Sequence, residues 1–217
     1  MENVVVIPAY NEGERIAAVI EKTRQFVPQI IVVDDGSQDN TPGKAQLPGV
    51  TVLRHRVNLG KGAALKTGCD YALEQDAKNI VVMDADGQHD PKEIPAFLKA
   101  LKEVDIVFGR RSLPENMPTI FRFGNTFISR ALKFLYGFKV HDSQCGYRAF
   151  TAEAYKKIRW DTLDYFVETE MIVKAGNAKL RHKQVPIETI YADNYKGTTV
   201  LDGMMIVGKI LGGRMVK

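Results

Sequence analysis

The stretch Asn79-Ile80-Val81-Val82-Met83-Asp84-Ala85-Asp86-Gly87-Gln88-His89 reads as a buried strand that ends in two carboxylates two positions apart. Ile80 to Met83 are apolar without interruption, the look of a parallel strand covered on both faces. Gly87 permits a tight turn. Pro91 can open the next helix, where its missing N–H costs nothing. A strand, an acidic turn and a helix thus follow one another within a short stretch.

The same rhythm runs outward from this unit. Asn3–Pro8 is a short apolar run that predicts a first strand, and Glu12–Phe26 carries Ile16, Val19 and Ile20 at helical spacing. Gln29–Asp35 predicts a second strand, with Asp39, Asn40 and Thr41 as cap-like residues for a short helix. Val50–His55 predicts a third strand and Gly60–Gln75 a helix with Ala64, Leu65, Gly68 and Ala72 on one face. Asn79–Met83 is then the fourth strand and Asp105–Gly109 the fifth. Alternation of this kind predicts an α/β fold: a mostly parallel sheet, right-handed crossovers and helices on both faces.

After Gly109 the pattern changes. Thr119–Phe138 predicts a long amphipathic helix, Gln144–Phe150 a strand, Ala152–Ile158 and Val167–Ala175 helices, with Gly176 and Asn177 as a stop signal, and Lys179–Ile187 a last strand. Thr198–Val216 is an apolar, Gly-rich, basic tail. The expected organisation is one domain over 1–197 and a C-terminal amphipathic extension over 198–217.

Composition agrees with one ordinary globular core: 217 residues, 45% hydrophobic and 26% charged. The net charge of +4 concentrates between Arg110 and Lys139, where six basic residues face the single acid Glu115 among several aromatics. Such a face suits anionic partners. Cys69 and Cys145 lack metal-ligand spacing, and two thiols suit a reducing compartment. The chain runs straight into a strand pattern, so no secretory leader is expected, and no segment reaches the ~18 apolar residues of a membrane span. The expected location is cytoplasmic, with no nucleic-acid partner.

Three acidic clusters fall at strand ends: Glu12, Asp34-Asp35 and Asp84-Ala85-Asp86. Open α/β sheets bind ligands beyond the carboxyl ends of their strands. One carboxylate there is often a helix cap, but three on one edge argue for a ligand site. Mg²⁺ and Mn²⁺ prefer hard oxygens and keep waters and substrate phosphates. Asp84 and Asp86 can present oxygens to one such ion, with Gln88 adding a carbonyl. Asp34-Asp35-Gly36-Ser37 suits ribose hydroxyls or base N–H groups, or equally an Asx-turn with a helix cap. Lys61, between Gly60 and Gly62 at a helix start, suits phosphate, although no GxxxxGK[ST] loop is present.

Four ordered motifs, Pro8-Ala9-Tyr10-Asn11-Glu12, Val33-Asp34-Asp35-Gly36-Ser37, Asn58-Leu59-Gly60-Lys61-Gly62 and Asp84-Ala85-Asp86-Gly87-Gln88-His89, resemble glycosyltransferase family 2. Together with Asp142-Ser143-Gln144-Cys145-Gly146-Tyr147-Arg148, they look most like the polyprenyl- or dolichol-phosphate mannose or glucose synthases. The resemblance implies a GT-A (Rossmann-like) fold and an inverting transfer of a sugar from a GDP- or UDP-sugar. It places Pro8, Tyr10, Glu12, Val33 and Asp35 at the nucleoside, and Asp84, Ala85 and Asp86 at the donor diphosphate. Asp84, Asp86 and Gln88 would hold Mg²⁺ or Mn²⁺. Arg111 falls near the transferred phosphates, Arg130 at the acceptor phosphate and Asp142 at the reaction centre. Glu168 and Glu170 fall where the family has an acid after an aromatic turn. Mannose synthases of the eukaryotic type have an arginine after their Val-Pro-Ile segment, where this chain has Tyr191-Ala192-Asp193 after Val185-Pro186-Ile187.

A phosphate acceptor is already ionised near neutral pH, its second pKa being about 6, so Asp142 would orient it or stabilise positive charge on the sugar. An alcohol acceptor would need Asp142 as base. The aromatics and cations of Thr119–Lys139 suit a membrane interface, or packing against the sheet. Met204–Leu211 suits a bilayer, a partner or a homodimer contact. The competing functions are transfer to polyprenyl phosphate at a membrane surface, transfer to a soluble acceptor, and nucleotide-sugar binding without turnover.

Overall fold

A computed structural model describes residues 1–111, 140–164 and 166–188. The expected amphipathic helix over Thr119–Phe138, Arg130 within it, and the tail over 198–217 lie outside the described residues. The elements in chain order are β1 (Asn3–Ala9), α1 (Ile16–Thr23), β2 (Ile30–Asp34), α2 (Thr41–Ala45), β3 (Val50–Arg54), α3 (Lys61–Glu74), β4 (Asn79–Val82), a 3₁₀ turn (Pro91–Glu93), α4 (Ile94–Leu101), β5 (Ile106–Arg111), β6 (Arg148–Thr151), α5 (Ala152–Ile158), α6 (Val167–Asn177) and β7 (His182–Ile187).

The seven strands form one sheet in the order β3-β2-β1-β4-β6-β5-β7. β1, β2, β3 and β4 run parallel, as do β5 and β7, while β6 lies antiparallel between β4 and β5. Side chains alternate across the sheet. Val4 and Val6 face a core closed by α3, α5 and α6, whereas Val5 and Ile7 face one closed by α1, α2 and α4. Both faces are covered, which explains the unbroken apolar runs.

Two elements differ from the sequence expectation for local reasons. α1 begins at Ile16 because the backbone ahead of it is claimed by the loop after β2. Asn11 donates to Ser37 Oγ, Glu12 to Thr41 Oγ1 and Gly13 to Asp39 Oδ2. Asn11 itself takes φ +55°, outside helical geometry. The expected strand over Gln144–Phe150 starts only at Arg148, because its guanidinium bonds back to the carbonyls of Ser143 and Cys145 and curls that segment into a loop.

α3 lies flat on β1 and β2 because Gly68 carries no side chain: a Cβ there would collide with Val6 and press on Val33 Cγ2. Gly68→Val is expected to lower stability by roughly 1–3 kcal/mol through overpacking, read as a lower urea midpoint with unchanged slope. A variant of wild-type stability would contradict this close approach.

Candidate active site

The parallel strands β1, β2 and β4 deliver their carboxyl ends to one edge of the sheet. Asp35 N–H donates to Ala9 O and Met83 N–H to Val6 O, which brings the three following loops side by side. Tyr10 is 42% exposed at this edge, and Glu12 holds Arg15 at 2.9 Å. Pro8 and Val33 are buried within their strands, Val33 lying against the Gly68 position of α3.

The two aspartates after β2 are occupied differently. Asp34, fully buried, accepts from Ser37 N–H and pairs with exposed Arg54 at 3.0 Å. Asp35 ties β2 to the start of α3: its oxygens accept from Leu59 N–H (2.9 Å) and Gly60 N–H (2.8 Å). His55 bridges Asp35 at 2.7 Å and Thr67 at 2.9 Å. Gly60, at φ +102°, packs so closely on Leu163 O that no Cβ fits.

This clamp fixes Lys61. Its Nζ lies 2.6 Å from Asp84 Oδ1 and 2.9 Å from Glu168 Oε1 on α6. Burial opposes the ammonium, but Asp84 and Glu168 outweigh it and hold Lys61 well above its ordinary pKa. Burial likewise pushes the Asp84 carboxyl up, yet Lys61, with His89 and Arg111 adding, brings it down to about 2. Gly146 makes the pair possible, since a Cβ there would sit 2.8 Å from Asp84 Oδ2 and 3.0 Å from Lys61 Nζ.

In Asp84-Ala85-Asp86, Ala85 turns into the core and the flanking carboxylates turn away from it. Asp86 Oδ1 accepts from Gln88 N–H across a turn in which Gly87 takes φ +79°. Burial and the charge of Asp84 push Asp86 up. His89 Nδ1 accepts from Asp84 N–H, and its ring stacks on Tyr147, which stacks on Phe97. His89 therefore braces the turn.

Asp142, 2% exposed, is gripped by the Arg111 fork, Nε at 2.7 Å and Nη2 at 3.0 Å. Gln144 N–H donates to the same carboxylate, and Gln144 Nε2 donates to Thr169 Oγ1. The loop is pinned from behind by Arg148, which is 1% exposed and donates to the carbonyls of Ser143, Cys145 and Glu168. Arg148 and the Lys61–Glu168 pair are the features that sequence reasoning left without a role. Their partners lie far along the chain, and only the run from Asp142 to Arg148 hinted that the loop acts as a unit.

The donor set suits a hard divalent cation that also draws on phosphate and water. Two aspartates flank the inward-turned Ala85, and Gln88 follows. Among the described residues no group of three or more His, Cys, Asp or Glu side chains is placed to enclose a metal.

Comparison with solved structures places the architecture. The glucosyl-3-phosphoglycerate synthase of Mycobacterium tuberculosis, crystallised with Mn²⁺ and UDP-glucose, matches with a TM-score of 0.79 at 20% identity, covering 97% of this chain and 78% of that one. The fold is GT-A. A family model described as glycosyl transferase family 2 matches residues 4–159. The chain belongs to glycosyltransferase family 2 and is a glycosyltransferase. It is 34% identical to the UDP-N-acetylglucosamine–dolichyl-phosphate N-acetylglucosaminyltransferase of Methanococcus voltae, over 98% of this chain and 96% of that protein. It is 31% identical to the undecaprenyl-phosphate mannosyltransferase of Micrococcus luteus, over 86% and 83%.

Arg148→Met should leave three buried carbonyls without their charged donor. Each such bond contributes about 1.5–3 kcal/mol, so a loss of at least about 3 kcal/mol is expected in chemical denaturation. A loss below about 1 kcal/mol would contradict a pinning role, since even one such bond exceeds it.

Proposed function

We propose that this glycosyltransferase moves a hexose, glucose or mannose, from a nucleoside-diphosphate sugar to a polyprenyl or dolichyl phosphate with inversion at the anomeric carbon. The observation that carries the reading is that the Lys61–Asp84 pair after β4 and the Arg111–Asp142 pair at the end of β5 stand at the same edge of the sheet, with Arg111 close enough to act on the Asp84 charge. Relatives of similar length are named for transfer to lipid phosphates, which supports the acceptor class. In this reading Pro8, Tyr10, Glu12, Val33 and Asp35 form the nucleoside side, Pro8 and Val33 through backbone and packing. Lys61 faces the diphosphate. Asp84 and Asp86, with Gln88, would hold Mg²⁺ or Mn²⁺. When bound, that ion supplies positive charge against the diphosphate leaving group.

An acceptor phosphate oxygen attacks the anomeric carbon as the bond to the donor diphosphate breaks and its electron pair leaves with the nucleotide. Arg111 lies beside the reacting phosphates, and Arg130 would meet the acceptor phosphate. Asp142, held by both arms of Arg111, is placed to orient groups and balance charge on the sugar. Both its oxygens are already held by the Arg111 fork, which favours an acceptor that arrives ionised and needs no base over an alcohol.

The catalytic domain spans 1–197 in this reading, and the segment over 198–217 is the tail. Among the described residues no helix is long and apolar enough to cross a membrane. The basic, aromatic stretch 119–139 supports peripheral contact with the cytoplasmic membrane face. The tail is assigned to the same surface or to a homodimer.

The test is transfer in detergent from labelled UDP-glucose, UDP-N-acetylglucosamine or GDP-mannose to a short polyprenyl phosphate, with Mg²⁺ or Mn²⁺. An organic-extractable glycosyl phosphate of inverted configuration is expected. Asp86→Ala should reduce the rate by about 100-fold or more, the scale of losing a charge-stabilising group. Transfer only to an alcohol such as 3-phosphoglycerate, or full activity in EDTA, would contradict the proposal.

A further inference from the structure

Glu168 sits in the first turn of α6, 5% exposed, with its carboxylate on the Lys61 ammonium. Among the described residues Lys61 therefore has two anions. Asp84 belongs to the turn read above as the cation and diphosphate side, whereas Glu168 belongs to the opposite wall. The Glu168 wall is held in place. The Glu168 carbonyl accepts from Arg148 at 2.6 Å. Thr169 holds Gln144, and Glu170 accepts from the N–H groups of Asp161 and Thr162. That loop in turn grips the start of α3, through Leu163 O to Ala63 N–H, while Trp160 Nε1–H donates to Gly62 O. The root of Lys61 is thus anchored, and Gly146 lines the space its tip occupies.

We propose that Glu168 is a positioning residue for donor binding: it shares the Lys61 ammonium with Asp84 and retains it when a divalent cation and a nucleoside diphosphate claim Asp84. The inference rests on the reading of Asp84 and Asp86 given above. Without Glu168, Asp84 is the one remaining carboxylate on Lys61 among the described residues, and the ammonium competes with the incoming cation for it. The site also becomes one charge more positive. Both effects oppose a dication and neither opposes an anionic diphosphate, so the two affinities move apart. A merely structural residue would weaken both together.

The experiment uses the full chain in two forms: wild type and Glu168→Gln. Mn²⁺ binding is titrated by the loss of the free-ion electron paramagnetic resonance signal in the presence of UDP, then GDP. Nucleotide binding is measured separately by calorimetry in EDTA, and melting temperatures confirm folding. Glu168→Gln is expected to weaken Mn²⁺ about 10- to 100-fold, the usual effect of losing an outer-shell partner, while nucleotide affinity in EDTA does not fall. Unchanged Mn²⁺ affinity in Glu168→Gln, or parallel loss of both affinities, overturns the inference. A wild-type chain that binds no Mn²⁺ with either nucleotide overturns the underlying reading of the site, and this inference with it.

Discussion

An ammonium withdrawn from water destabilises a fold unless anions surround it in good geometry. Lys61 meets that condition with Asp84 at 2.6 Å and Glu168 at 2.9 Å, and in doing so it joins three segments that are distant in sequence. The start of α3, the turn after β4 and the first turn of α6 converge on one nitrogen. Much of the remaining site is support for that junction. Asp35 holds the backbone of Leu59 and Gly60, Gly146 leaves room for the charged pair, and Arg148 fixes the Asp142 loop to the Glu168 carbonyl.

The constraint also organises charge along the sheet edge. Three acids with predicted chemical roles are matched to a cation or to backbone N–H groups: Asp84 to Lys61, Asp142 to Arg111, Asp35 to Leu59 and Gly60. Such pairing preorganises the positions of these side chains, which matters more for charge stabilisation than a flexible surface cluster would. It also means that a donor entering this edge replaces existing partners rather than filling an open anionic well.

The parallel half of the sheet was legible because buried strands write themselves as apolar runs. Val4 to Ile7, Ile30 to Val33 and Ile80 to Met83 needed only to be read. The acidic turns followed, since each stands where such a run stops. The antiparallel insertion of β6 between β4 and β5 was not legible: it depends on where a strand docks, and local sequence carries no signal of that. Arg148 shows the difficulty. In sequence it is one more basic residue near a strand, yet in the fold it is buried over Phe108 and donates to three carbonyls. Asp35 was read as a ligand for a nucleoside or as a turn cap. The fold shows it closing a loop onto α3, a partnership that spacing alone does not reveal. Glu168 carried a family position but no partner, because its partner Lys61 belongs to a different element.

The central claim is that the turn after β4 carries a divalent cation together with a donor's diphosphate. Its most direct test is anomalous diffraction at the manganese edge from crystals grown with Mn²⁺ and UDP or GDP. The account predicts one strong peak within coordination distance of both Asp84 and Asp86, with diphosphate oxygens completing its shell. A nucleotide bound at this edge with manganese elsewhere, or coordinated by neither aspartate, would contradict it.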